Sequence, residues 1–168
     1  MNELPPITVA PAPPSGVGSR ALLESYFYEL ISRYQHRPGR VDEVEAAMAE
    51  FPSDDLTGPT GAFLLAQRGD TVVGCIGLRV RDGRVGEVTR VFVVPSERRN
   101  GVGAMLVTEI EALARSRGLR RLELDTRDDL LEARRLYERC GFKEVPAFNA
   151  NPYAAHWFAK ELVGEGLD

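Results

Sequence analysis

Arg98-Arg99-Asn100-Gly101-Val102-Gly103 places two basic side chains and two glycines between an apolar stretch that stops at Pro95 and a helical pattern that starts at Val102. Such a junction can hold an anion. The first N–H groups of a helix lack an intrahelical partner, the helix dipole favours negative charge, and glycine lets the backbone come close to a phosphate. Arg98 and Arg99 are expected to add positive charge. The same residues also suit a tight strand-to-helix turn with exposed arginines, so the loop alone names no ligand. Two nucleotide-binding readings fail on detail. No Gly-Lys-Ser/Thr is present, and no Gly-x-Gly-x-x-Gly follows the first strand.

The other reactive residue types are few. Cys75 and Cys140 are far apart, without Cys-x-x-Cys spacing. This predicts reduced thiols and a cytoplasmic protein. His36 and His156 cannot build a metal site with them at a familiar spacing, so no metal is expected. The net charge of −4 gives the whole chain no attraction for nucleic acid. Of the 21 basic side chains, all but Lys143 and Lys160 are arginine, a skew we attribute to GC-rich coding. No apolar run approaches the roughly 20 residues that span a bilayer. Residues 1–14 lack the basic and apolar segments of a signal peptide. With 168 residues, 43% of them hydrophobic, the chain suits a single domain over residues 1–168, with residues 1–6 expected to be loose.

The elements that must position the loop follow from periodicity. Residues 7–10 read as a short strand and 11–18 as a linker. Ser19 is predicted to cap a helix running to about Tyr34, with Leu22, Leu23, Tyr26, Phe27, Leu30 and Ile31 at helical spacing. Val41, Val44, Ala47 and Met48 define a second helix. Residues 62–67, 71–80 and 85–94 form an antiparallel meander through the turns Arg68-Gly69-Asp70 and Asp82-Gly83. Val102, Met105, Leu106, Ile110 and Leu113 share one face of the next helix. A strand at 119–125, a helix at 130–139 and strands at 142–145 and 153–160 complete the chain. The order β-α-α-β-β-β-α-β-α-β-β predicts an α/β fold: a mixed, mostly antiparallel sheet flanked by about four helices.

Residues 88–103, VTRVFVVPSERRNGVG, resemble the signature of the GCN5-related N-acetyltransferase (GNAT) family: a hydrophobic strand, a spacer, then R-x-x-G-x-G. The similarity continues through LELDT at 122–126, EARRLYERCGF at 132–142 and the closing FNANPYAAHWFAKEL. The resemblance implies acetyl-CoA as co-substrate, without a metal, and direct attack by a primary amine in a ternary complex. In it the backbone of Val91, Phe92 and Val93 would pair with the pantetheine arm, which needs a gap in the sheet. The pyrophosphate would sit on amides from Arg98 or Arg99 through Asn100, Gly101, Val102 and Gly103 to Ala104. Tyr137 matches the tyrosine that protonates the departing thiolate. Glu87 matches the region of a glutamate that takes the amine's proton, and Asp125 or water could do the same. A main-chain amide such as that of Val93 would hold the oxyanion.

The family often has an asparagine where this chain has Leu130, and that contact is expected to be either lost or taken over by Asp128 or Arg127. Cys140 is expected to be structural, with no acyl-enzyme. Tyr26, Tyr34 and His36 on one side, and Phe148, Asn149, Tyr153 and His156 on the other, are candidates to line the acceptor site. The implied partner is a small-molecule amine, a metabolite or amino acid, with no nucleic acid or membrane, in a monomer or homodimer. Two further readings stand: a protein Lys or N-terminal acetyltransferase, and a non-catalytic acyl-CoA-binding sensor.

Overall fold

The alternating runs at 62–94 fold as predicted into the middle of one seven-stranded sheet. The computed structural model describes residues 3–82 and 84–162. Gly83 of the expected turn, and Met1 and Asn2 of the expected loose start, lie outside the described residues. The strands are β1 (Ile7–Pro11), β2 (Gly61–Arg68), β3 (Thr71–Arg81), β4 (Val85–Val93), β5 (Arg121–Thr126), β6 (Lys143–Val145) and β7 (His156–Glu161). The helices are α1 (Val17–Gln35), α2 (Val41–Glu50), α3 (Val102–Ser116) and α4 (Leu131–Arg139), and a single 3-10 turn covers Pro95–Glu97. The strand order is β1-β2-β3-β4-β5-β7-β6. Every neighbouring pair is antiparallel except β4 and β5, which the α3 crossover makes parallel.

Each face of the sheet has its own core. On one face, Val102, Leu106, Val107, Ile110 and Ala114 of α3 recur at three- and four-residue steps and pack with Tyr137 of α4 against Ile76, Leu78, Val88, Leu122, Leu124 and Phe158. On the other, Leu22 and Leu23 of α1 pack with Leu56, Phe63, Leu65, Cys75 and Phe92. Burying each such large apolar side chain contributes about 1.5–3 kcal/mol, so both layers are held chiefly by these faces.

Two local expectations are corrected. Ser19 is not the cap of α1, which starts at Val17 behind Gly16. It lies in the first turn, 1% exposed, and its hydroxyl donates to the Pro13 carbonyl at 2.7 Å. A buried hydroxyl needs an acceptor, and this one ties the linker to the helix. The last strand starts at His156, not Tyr153. Asn149 Oδ1 accepts from the Asn151 amide and Asn151 Oδ1 from the Tyr153 amide, at 3.2 and 3.1 Å. These side chains fold residues 149–153 into turns in place of a ladder.

The feature that shapes the site is an irregularity in β4. Cys75 pairs with Phe92 and Gly77 with Thr89, so Arg90 and Val91 stand together opposite Ile76. This is a bulge, and Arg90 takes a positive φ of 56° in it. On its other side, β4 pairs with β5 only at Val85, Gly86 and Glu87, opposite Arg121, Leu122 and Glu123. Beyond Glu87 the two strands part, and β5 continues against β7 alone.

Candidate functional site

The parted strands form the wall of a cleft of about 1800 Å³. Its floor carries Val88 to Val93 of β4 and Asp125 and Thr126 of β5, α1 and α2 cover one side, and Gly101 to Ala104 close one end. The gap that the family resemblance requires is therefore present. Val94 donates its amide to Val73 of β3 at 2.9 Å. Because strand amides alternate in direction, the Val93 amide is turned to the opposite edge, toward the gap.

The loop is built by two glycines with different reasons. Gly101 caps α3 at φ 80°, the left-handed region where a side chain is strained. Gly103 takes a helical conformation, but a Cβ there would lie 3.0 Å from Leu136 Cδ2 of α4. Arg99 also takes a positive φ, 69°. The Arg98 amide is occupied by the Pro95 carbonyl at 3.3 Å. The row of amides with no backbone acceptor therefore begins at Arg99, not Arg98. It runs to Ala104, where the first turn of α3 leaves its N–H groups unpaired.

The Arg98 side chain also differs from expectation. Its Nε donates to the Val93 carbonyl at 2.9 Å, its Nη2 pairs with Glu29 of α1 at 2.8 Å, and it lies over the Phe92 ring. Arg98 therefore braces the loop against β4 and α1, and its charge is already met. Arg99 forms no ion pair among the described residues. Asn100 turns outward and donates to Glu97, which is itself held by Arg68 at 2.9 Å. The Arg68 guanidinium keeps the Glu97 carboxyl below its usual range.

Tyr137 sits on the buried face of α4, 6% exposed, with its ring centre about 6 Å from those of Phe142 and Phe158, and it borders the cleft. Burial pushes its phenol well above the usual value, and the nearby Asp125 acts in the same direction. The phenol therefore stays protonated across the neutral range. Neither thiol is poised as a nucleophile. Burial raises Cys75 to about 12 and also raises Cys140.

Glu87 borders the cleft but is engaged by Arg79 at 3.4 Å and Arg81 at 3.5 Å. Arg79 also binds Asp55 at 2.6 Å, and Arg81 also binds Glu123 at 3.3 Å. Among the described residues Asp125 accepts only from neutral amides: Asn149 Nδ2 at 2.7 Å and Asn151 Nδ2 at 3.0 Å. Asn149 in turn accepts from the Trp157 indole at 2.9 Å.

Of the acceptor-side candidates, Tyr26, Tyr34, Asn149 and Tyr153 line the cleft. Tyr34 and Tyr153 meet edge-to-face at 5.8 Å, joining α1 to the loop before β7. The other three do not line it. His36 is exposed at the end of α1, where it takes the left-handed conformation. Phe148 lies under Arg81. His156 is clasped by Glu144 at 2.6 Å and Asp128 at 2.8 Å. The expected substitutes at the Leu130 position are also committed elsewhere. Asp128 holds His156, while Arg127 holds Asp129 and the Leu30 carbonyl. Leu130 itself lines the cleft. Sequence reasoning missed Arg90, whose signal was a lone arginine inside an apolar run, and Arg79.

A family model described as the Acetyltransferase (GNAT) family matches residues 22–142. The chain is 40% identical over 101 residues to the IAA acetyltransferase of Azospirillum brasilense, covering 58% of this chain and 63% of that protein. It spans 60–64% of the length of this and two further curated relatives. An acetyltransferase of the GNAT family from Staphylococcus aureus Mu50 superposes with a TM-score of 0.74 at 17% identity, over 94% of this chain and 99% of that one. The PaiA N-acetyltransferase of Thermoplasma acidophilum, solved in complex with coenzyme A, superposes with a TM-score of 0.71 at 17% identity, over 93% and 99%.

Proposed function

The chain belongs to the GNAT family of acetyltransferases, and from that premise we propose that it transfers an acetyl group from acetyl-CoA to a primary amine of a small metabolite or amino acid. The observation that carries this reading is the wedge between β4 and β5, which ends on the amide row Arg99–Ala104 and passes the buried Tyr137. A thioester arm lying along Val91 to Val93 would complete the open edge as a short added strand. Its pyrophosphate would accept from the amide row at the start of α3.

In the ternary complex the neutral amine attacks the thioester carbon. The new C–N bond forms first and turns the carbonyl into a tetrahedral oxyanion, the amine's surplus proton leaves to a carboxylate or water, and the C–S bond then breaks as the carbonyl re-forms. The oxyanion is held by the Val93 amide turned toward the gap. Tyr137 gives its proton to the departing sulfur, which suits a phenol kept protonated by burial. Glu87 and Asp125 both line the cleft, which supports either as the carboxylate that receives the amine's proton, directly or through water. The Tyr34–Tyr153 contact ties α1 to the loop before β7 on the acceptor side.

The test is turnover of acetyl-CoA over a broad amine panel, followed by thiol release. Tyr137→Phe should lower kcat about 10²- to 10⁴-fold while coenzyme A binding, measured by calorimetry, is retained. Absence of turnover with every amine, alongside intact coenzyme A binding, would instead support a non-catalytic sensor.

A further inference from the structure

The charges along the wedge do not all cancel. At its narrow end Arg79, Arg81, Asp55, Glu87 and Glu123 are joined in a network of ion pairs that runs on through Arg121 to Glu161. Farther along, Arg90 on β4 and Asp125 on β5 flank the opening, and neither forms an ion pair among the described residues. Arg90 Nε donates to Ser53 Oγ at 3.2 Å, Nη1 to Thr89 Oγ1 at 3.1 Å and Nη2 to the Phe51 carbonyl at 3.0 Å. All three acceptors are neutral. A guanidinium carries five N–H donors, so two remain beyond these three bonds; the Tyr26 hydroxyl lies near enough to share one, and the group borders the cleft.

Three features hold Arg90 in this position. The bulge turns it out of the strand repeat at φ 56°. The rings of Tyr26 and Phe27 lie 5.8 and 5.1 Å from its guanidinium carbon. Its bonds to Phe51 and Ser53 fix it against the segment after α2. A rigid, half-buried cation whose nearest carboxylate, Asp55, acts on it only at a distance is a ready partner for an anion, because a charge-assisted hydrogen bond in a partly desolvated cleft is stronger than in water. The opposite wall offers the complementary pole, since Asp125 is a carboxylate met only by amides.

We propose that the acceptor amine carries a carboxylate, that Arg90 binds this carboxylate, and that the amine end lies toward Asp125. The acceptor class is thus a small amino acid rather than a simple alkylamine. For the reaction this rests on the acetyl-transfer reading above. For binding it stands on Arg90 alone.

The experiment compares glycine, β-alanine and 4-aminobutyrate with their carboxamides, as acceptors and as calorimetric ligands of the coenzyme A-loaded protein. For at least one pair, the wild type should prefer the acid by about 10- to 100-fold, the worth of one charge-assisted contact. Arg90→Gln should lower the acid far more than the carboxamide and bring their ratio close to one, with the KM for acetyl-CoA little changed. Arg90→Lys keeps the charge and should retain part of the preference; it carries the test if the glutamine variant does not fold. Turnover with no preference for acids would overturn the proposal and leave acetyl transfer standing. So would an equal loss on acid and carboxamide, which would make Arg90 only a tie to Phe51 and Ser53. Arg90-dependent acid binding without any turnover would support this site and sink the acetyl-transfer reading.

Discussion

At the scale of single residues, the cleft separates two carboxylates that the sequence could not rank. Glu87 has both oxygens engaged by guanidinium groups, Arg79 on one and Arg81 on the other. Asp125 faces the opening with two amide partners that leave acceptor capacity on each oxygen. If Asp125 receives the amine's proton, Asp125→Asn should lower kcat/KM by about 10²-fold or more with coenzyme A binding retained. Glu87→Gln should then act mainly by loosening Arg79 and Arg81, with a smaller loss of kcat/KM. Assays of the two variants side by side settle the order, and an unchanged kcat/KM in Asp125→Asn would return the role to Glu87 or water. Tyr137 was legible because a motif carried it. Arg90 was not, because its position depends on a bulge, and a bulge is set by the partner strand and the layer above it, not by the local residues Thr89-Arg90-Val91.

At the scale of elements, the sequence pattern yielded the order of the seven strands and four helices among the described residues, since the apolar runs of the longer elements show their period, while the three-residue β6 was marked only by its place between Gly141 and Pro146. It misjudged ends where side chains replace backbone bonds, as Asn149 and Asn151 do before β7. It also credited both loop glycines with the same job. Gly101 has open space around its missing Cβ and is needed for its φ, whereas Gly103 is needed so that α3 can approach Leu136. Gly101→Ala should therefore cost about 1–2 kcal/mol, read from urea unfolding. Gly103→Ala should instead press on the Leu136 side chain of α4, which must give by a few tenths of an ångström, and through it disturb the neighbouring Tyr137 and lower kcat. Adding Leu136→Ala to Gly103→Ala should restore part of that loss, whereas it should not rescue Gly101→Ala.

At the scale of the whole molecule, the far side of the sheet is joined by one histidine. His156 of β7 bridges Glu144 of β6 and Asp128 of the segment before α4, and Arg134 also reaches Asp128. Asp128, followed by Glu144, raises the His156 pKa above its usual value. The sign follows: this tie is fully present below about pH 6.5, the ordinary histidine value, and is lost as pH rises through the higher folded value. The same pairing lowers the Asp128 pKa, so that carboxylate's share is present above about pH 3.9 and fades as pH falls through its lower folded value. Thermal unfolding from pH 5 to 9 should show a decline in the wild type that His156→Gln lacks, and parallel curves would refute it. The parting of β4 from β5 has a further consequence at this scale. β4 is central in the strand order, yet beyond Glu87 it has the open pairing groups of a sheet edge. Such edges invite other chains to add a strand and aggregate. Here the edge lies inside a cleft, and the left-handed residue Arg90 breaks the two-residue repeat that an incoming polypeptide would have to match. The same bulge therefore disfavours the addition of a polypeptide strand at this edge while leaving room for a ligand too short and flexible to need that repeat.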